Sequence, residues 1–128
     1  MFLTIDINDK RPIYQQIVDG IKALIACGDL REGTPLPSVR QVAGDLGVNL
    51  NTIAIAYRQL QDEGFLTIRH GSGAVVSSLR GREVEQSELR KSLRTALTQL
   101  ILGGNSDREI AALVQKELAL LRQKGSAR

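Results

Sequence analysis

The residues able to do chemistry in this sequence are few and of one kind. Arg40, Asn51, Thr52, Arg58, Arg69 and His70 carry cationic, amide, hydroxyl or imidazole groups, and Ser38 and Asn49 add short polar side chains where helical segments begin. Groups of this kind hydrogen-bond phosphates and base edges. Covalent catalysis needs other arrangements. No pair of carboxylates sits in a plausible cleft, no nucleophile stands with a base, and no glycine-rich cradle opens a helix. Gly71-Ser72-Gly73 is followed by β-favouring residues, so it reads as a hairpin tip. The single cysteine, Cys27, excludes an intrachain disulfide, and with the single histidine, His70, it cannot make a zinc site. No enzyme, metal or cofactor is expected.

These groups must be positioned by a series of short elements. Pro12 opens a helical segment with apolar residues at Ile13, Ile17, Ile21, Leu24 and Ile25, and Gly28 stands at its end. Gly33 to Pro37 is turn chemistry, because two prolines remove donors and fix the backbone. Ser38 and Gln41 fit a capping box for a short helix from Ser38 to Leu46, stopped by Gly47. Asn49 or Asn51 caps a third helix running to Gly64, with Ile53, Tyr57 and Leu60 inward. Its opposite face shows Asn51, Ala54, Ile55 and Arg58, with Thr52 beside its N-terminal amides. Phe65 to Arg69 and Ala74 to Ser77 are β-favouring runs about the glycine tip, which predicts a hairpin. The opening run Phe2 to Ile7 alternates as a strand does. Helix, short helix, tight turn, helix and hairpin make a winged helix-turn-helix, an architecture in which one helix enters a major groove.

The second part of the chain differs in kind. Residues 78–128 contain no aromatic residue and no proline, and hold ten Lys/Arg against six Asp/Glu, a balance of +4; residues 1–77 hold seven against eight, a balance of −1. The net charge of +3 therefore says little about what the first part binds. Leu89, Leu93, Ala96, Leu97, Leu100 and Ile101 form one helical stripe, ended by Gly103-Gly104. Ser106 and Glu109 fit a second capping box, followed by Ile110, Leu113, Val114, Leu118 and Leu121. The fold class expected is α+β, mainly α. Residues 1–77 form the winged unit, 78–86 a linker, 87–124 a helical hairpin and 125–128 a flexible tail.

The wording of the first part is more specific than its outline. Pro12-Ile13-Tyr14-Gln15-Gln16-Ile17, Gly28-Asp29-Leu30, Leu36-Pro37-Ser38-Val39-Arg40, Val48 to Ile53, Ala56-Tyr57, Leu60, Glu63-Gly64 and His70 to Gly73 resemble the GntR family of bacterial transcription regulators. The resemblance covers about residues 8–77 with every block in order. The Asn49 to Tyr57 wording and the short tail resemble the YtrA-type branch, whose members carry two C-terminal helices and often repress a transporter operon. The resemblance implies DNA contacts from Arg40, Asn51 and Thr52, with His70 and Gly71 at a wing tip reaching the minor groove; Arg58 shares the exposed face by periodicity, and Ser38, Asn49, Leu50, Ile55 and Arg69 complete the expected DNA-binding set. Leu50, Ala54 and Ile55 depart from it, since relatives often carry basic residues there. An apolar face could touch thymine methyl groups, or one of the three could pack against the wing.

Two helices with a leucine stripe cannot bury it alone. A second copy of the hairpin would cover Leu89, Leu93, Leu97, Leu100, Ile101, Ile110, Leu113, Val114, Leu118 and Leu121, giving a homodimer with two recognition helices about 34 Å apart on a palindromic operator. The other outcome is that the hairpin folds back on its own winged unit. Some fifty residues are too few to enclose a cavity of about 300–1,000 Å3 as well as an interface, which leaves a small effector only the seams. The expected protein is a cytoplasmic repressor with no membrane partner. A winged-helix module that binds protein rather than an operator is the alternative.

Overall fold

A computed structural model describes residues 3–69, 73–77 and 86–126. Five helices and three short strands follow in the order α1 (Ile13–Ala26), β1 (Pro35–Leu36), α2 (Val39–Leu46), α3 (Leu50–Asp62), β2 (Leu66–Arg69), β3 (Gly73–Val76), α4 (Gln86–Leu102) and α5 (Asp107–Ser126).

Caps and glycines set the boundaries. Ser38 Oγ accepts from the Gln41 amide at 3.1 Å and starts α2, which ends at Gly47 in the left-handed region, φ 68°. Asn49, rather than Asn51, caps α3: its side chain accepts from the Asn51 amide at 2.7 Å. Only the first half of the capping box forms at Ser38. At Ser106 both halves form, since the Ser106 amide donates to Glu109 Oε1 at 2.8 Å and the Glu109 amide to Ser106 Oγ at 3.2 Å.

The core lies between α1, α2, α3 and the sheet. Ile17, Val18 and Ile21 of α1 meet Val42 of α2 and Ile53, Ala56, Tyr57 and Leu60 of α3, closed by Leu36, Leu66, Ala74 and Val76. Ile13 is exposed at the start of α1. The buried face turns instead through Gln16 and Val18, which apolar spacing alone does not reveal.

Two expectations need correction. The opening run forms no strand, because no strand edge lies beside it. Leu3 drops into the core where Gly20 has no Cβ, and the Gln16 amide brackets Asp6: the Asp6 amide donates to Gln16 Oε1 at 2.9 Å and Gln16 Nε2 to the Asp6 carbonyl at 3.2 Å. Ile7 ends 91% exposed. The proline-rich turn contains a strand, β1, which pairs with β3 through Pro35↔Val75 and Leu36↔Ala74 at the edge of a sheet ordered β1-β3-β2. Proline is tolerated there because an edge strand needs no donor on its open side. The tail forms the two helices expected, α4 and α5, joined through Gly103-Gly104. The C-terminal half of α5 lies against α1.

The linker expected at 78–86 lies outside the described residues except for Gln86, which opens α4, and α5 runs through Ser126 into the stretch expected as a tail. No helix among the described residues is long and apolar enough to cross a membrane.

Candidate nucleic-acid interface

The third helix sorts its side chains cleanly. Ile53, Ala56, Tyr57 and Leu60 are buried, while Leu50, Asn51, Ile55 and Arg58 are exposed. Successive positions at three- and four-residue intervals share a face, so Asn51, Ile55 and Arg58 form one outward line with Leu50 beside it. Thr52 and Ala54 are half-buried at its margin. Ser38 and Arg40 at the start of α2 and Arg69 on β2 are also exposed. Among the described residues Arg40, Arg58 and Arg69 are in no salt bridge.

Two of the expected polar contacts already have work within the chain. The Asn49 carbonyl oxygen of the side chain caps α3, and the Ser38 hydroxyl caps α2. The amides at the start of α3 are partly occupied as well: Asn51 donates to the Asn49 side chain, and Thr52 to the Asn49 backbone carbonyl at 3.0 Å. An amide-lined anion site at this terminus is therefore smaller than the sequence suggests. His70 and Gly71, the expected wing tip, lie outside the described residues.

Three ties hold the presenting face in place, and none has a local sequence signal because each joins residues far apart in the chain or on different elements. Tyr57 Oη donates to the Pro37 carbonyl at 2.7 Å. Gln61 Oε1 accepts from the Ile68 amide at 2.8 Å, fastening the end of α3 to β2. Lys22 of α1 donates to Glu63 at 2.8 Å and stands 5.3 Å from the centre of the Phe65 ring. Lys22 carries no mark in the sequence that pairs it with Glu63; only the fold brings the two together.

Among the described residues no three His, Cys, Asp or Glu side chains gather as metal ligands. Cys27 is buried, with Sγ donating to the Leu24 carbonyl at 3.4 Å, the position of a small core residue.

The sequence pattern described as "Bacterial regulatory proteins, gntR family" matches residues 13–76. The chain belongs to the GntR family. It is 32% identical over 100 residues to the transcriptional repressor YtrA of Bacillus subtilis, an alignment covering 78% of this chain and 76% of YtrA. It is 36% identical over 107 residues to the pyridoxine biosynthesis regulator PdxR of Corynebacterium glutamicum, but there it spans only 24% of the relative's length and 79% of its own. Among solved structures, a transcriptional antiterminator from Listeria monocytogenes EGD-e superposes with a TM-score of 0.87 at 28% identity, over 94% of this chain and 92% of that one. The likeness to YtrA reaches into the tail and that to the Listeria protein covers nearly the whole chain, whereas that to PdxR leaves most of the larger protein unmatched. As a GntR-family, YtrA-like chain it is a transcription regulator with a DNA-binding winged helix-turn-helix and two C-terminal helices, and not an enzyme.

The tail residues divide into three groups. Leu89, Leu93 and Ile101 on α4 and Leu113, Val114, Leu118 and Leu121 on α5 are exposed, and Leu97 and Leu100 are half-buried. Ile110 is already buried within the single chain, so it has little surface left to give a partner. Leu121, with Leu120 and Glu117, also walls a cavity of about 390 Å3 against Leu3, Thr4, Gly20, Ala23, Leu24 and Cys27. A cavity of this size was not expected of so short a tail. It exists because α1 and the opening segment supply most of its wall.

Proposed function

We propose that the chain is a homodimeric repressor of a bacterial operon, binding a palindromic operator with α3 in the major groove and the β2–β3 wing on the minor groove or backbone. Residues 1–77 are the reading unit, 78–86 the linker and 87–124 the dimerisation region. The observation that carries this reading is the outward face of α3, on which Leu50, Asn51, Ile55 and Arg58 stay exposed behind a fully packed core. Arg40 and Arg69 add exposed cations for phosphate or guanine, with Ser38, Asn49 and Thr52 at the helix starts and His70 and Gly71 at the wing tip.

The partner of the tail is a second copy. Nine exposed large apolar side chains lie on α4 and α5, namely Leu89, Leu93, Ile101, Leu102, Leu113, Val114, Leu118, Leu120 and Leu121. Soluble monomers rarely leave so much contiguous apolar surface in water. Two-fold pairing would cover it and set two copies of α3 about one DNA turn apart, ~34 Å. The cavity between α1 and α5 is where a small effector would lodge, at the joint between reading unit and dimer.

Footprinting the full chain on its own promoter region tests the reading. A protected inverted repeat, with affinity falling steeply as salt rises, supports it. Binding to protein partners alone, with no salt-dependent DNA binding, would replace it with the interaction-module alternative.

A further inference from the structure

We propose that α3 reads thymine through its methyl group: Leu50 and Ile55 lie against the 5-methyl carbons of thymines in the major groove, while Asn51 between them pairs with an adenine edge. The inference rests on the operator-binding reading and specifies the bases read.

The exposure of these two side chains is the starting observation. Leu50 is 41% and Ile55 49% exposed, although the core residues Ile53 and Ala56 on the same helix are wholly buried. Among the described residues β2 is tied to α3 through Gln61, at the far end of the helix from Leu50. About half of each side chain is left open to a partner.

The chemistry of the rest of the face then selects the base. Asn49 is committed to its cap, so the first half of α3 offers Leu50, Asn51, Thr52, Ala54 and Ile55 and no cation; Arg58 stands almost two turns beyond Asn51. Guanine shows two acceptors in the major groove and cytosine a donor, and an aliphatic side chain would leave either desolvated and unpaired. Thymine alone shows a methyl group there. Asparagine satisfies both adenine groups, N6 and N7, with its own donor and acceptor. Apolar, amide and apolar groups within six residues of one helix therefore match a run of T·A and A·T pairs.

The test removes the methyl group and leaves the pairing. The full-length protein is used to select duplexes from a random library, and the thymines of the selected half-site are replaced singly by deoxyuridine. Burying one methyl group corresponds to about 0.8 kcal/mol, or about fourfold in affinity. The expected result is a loss of about that size at the thymines facing Leu50 and Ile55. Ile55→Ala and Leu50→Ala should each abolish the difference between thymine and uracil at one position while keeping helicity and the salt slope. Equal affinity for uracil and thymine at every position, or G·C pairs selected opposite the start of α3, would overturn the inference and leave operator binding standing. Absence of any salt-dependent duplex binding would remove both.

Discussion

The phenol of Tyr57 donates to the backbone carbonyl of Pro37, bridging the middle of α3 to the turn that launches α2. This bond adds a polar tie to the core packing of the DNA-binding pair, and burial pushes the phenol pKa upward, so it remains a donor at any working pH. Tyr57→Phe leaves the Pro37 carbonyl without its partner. Denaturant unfolding should show a loss of about 1–3 kcal/mol, with operator affinity falling as the pair loosens.

Gly44 lies within α2, and a Cβ added there meets nothing within 4 Å. Its backbone is helical, so alanine fits without strain. Gly44→Ala should stabilise the chain by about 0.5–1 kcal/mol, seen as a higher Tm.

Glu109 is held below its ordinary carboxylate value of 4.5, first by the Ser106 amide and then by the Ser106 hydroxyl. A carboxyl group whose pKa is lowered by folding stabilises the fold fully above that ordinary value and loses its contribution as pH falls through the lower one. Circular dichroism of the full chain should show helicity declining on acidification from pH 5 toward pH 3. Glu109→Gln should flatten that part of the profile.

Arg40 is exposed on α2 and in no salt bridge among the described residues. Arg40→Ala should weaken operator binding by about 1–3 kcal/mol if the contact is to a base, and lower the salt slope by about one unit if it is to a phosphate. Stability should hardly change, which separates this variant from Tyr57→Phe in a melting experiment.

Leu93 stands 55% exposed in the middle of α4. Leu93→Glu would place a charge in the centre of the proposed dimer seam. Sedimentation should shift from dimer to monomer, and operator affinity should drop by at least tenfold as the second half-site is lost.

What could be read from the chain before its fold was known depended on how local the signal was. The extent of α3 was legible because Gly47, Asn49 and Gly64 mark it, and its inward face followed from Ile53, Tyr57 and Leu60. The Ser106–Glu109 box was legible for the same reason. The opening segment was misread because alternation at Leu3, Ile5 and Ile7 predicts a strand only where an edge is available, and Gln16 supplied side-chain partners in its place. Strand β1 was hidden by Pro35, a residue that argues against a strand except at an edge. The outward polar face of α3 was visible in the sequence, but not that Asn49 and Ser38 would spend their side chains on caps. The contact of α5 with α1 depends on tertiary packing and has no local signature.

The small sheet is guarded at both margins. On one side Pro35 in β1 has no amide to offer, and on the other the Ile68 amide of β2 is already taken by Gln61. An incoming strand from another molecule therefore finds neither margin a ready template. Crowded copies on neighbouring sites cannot zip together through their wings, and unwanted fibrous growth is denied its easiest starting point.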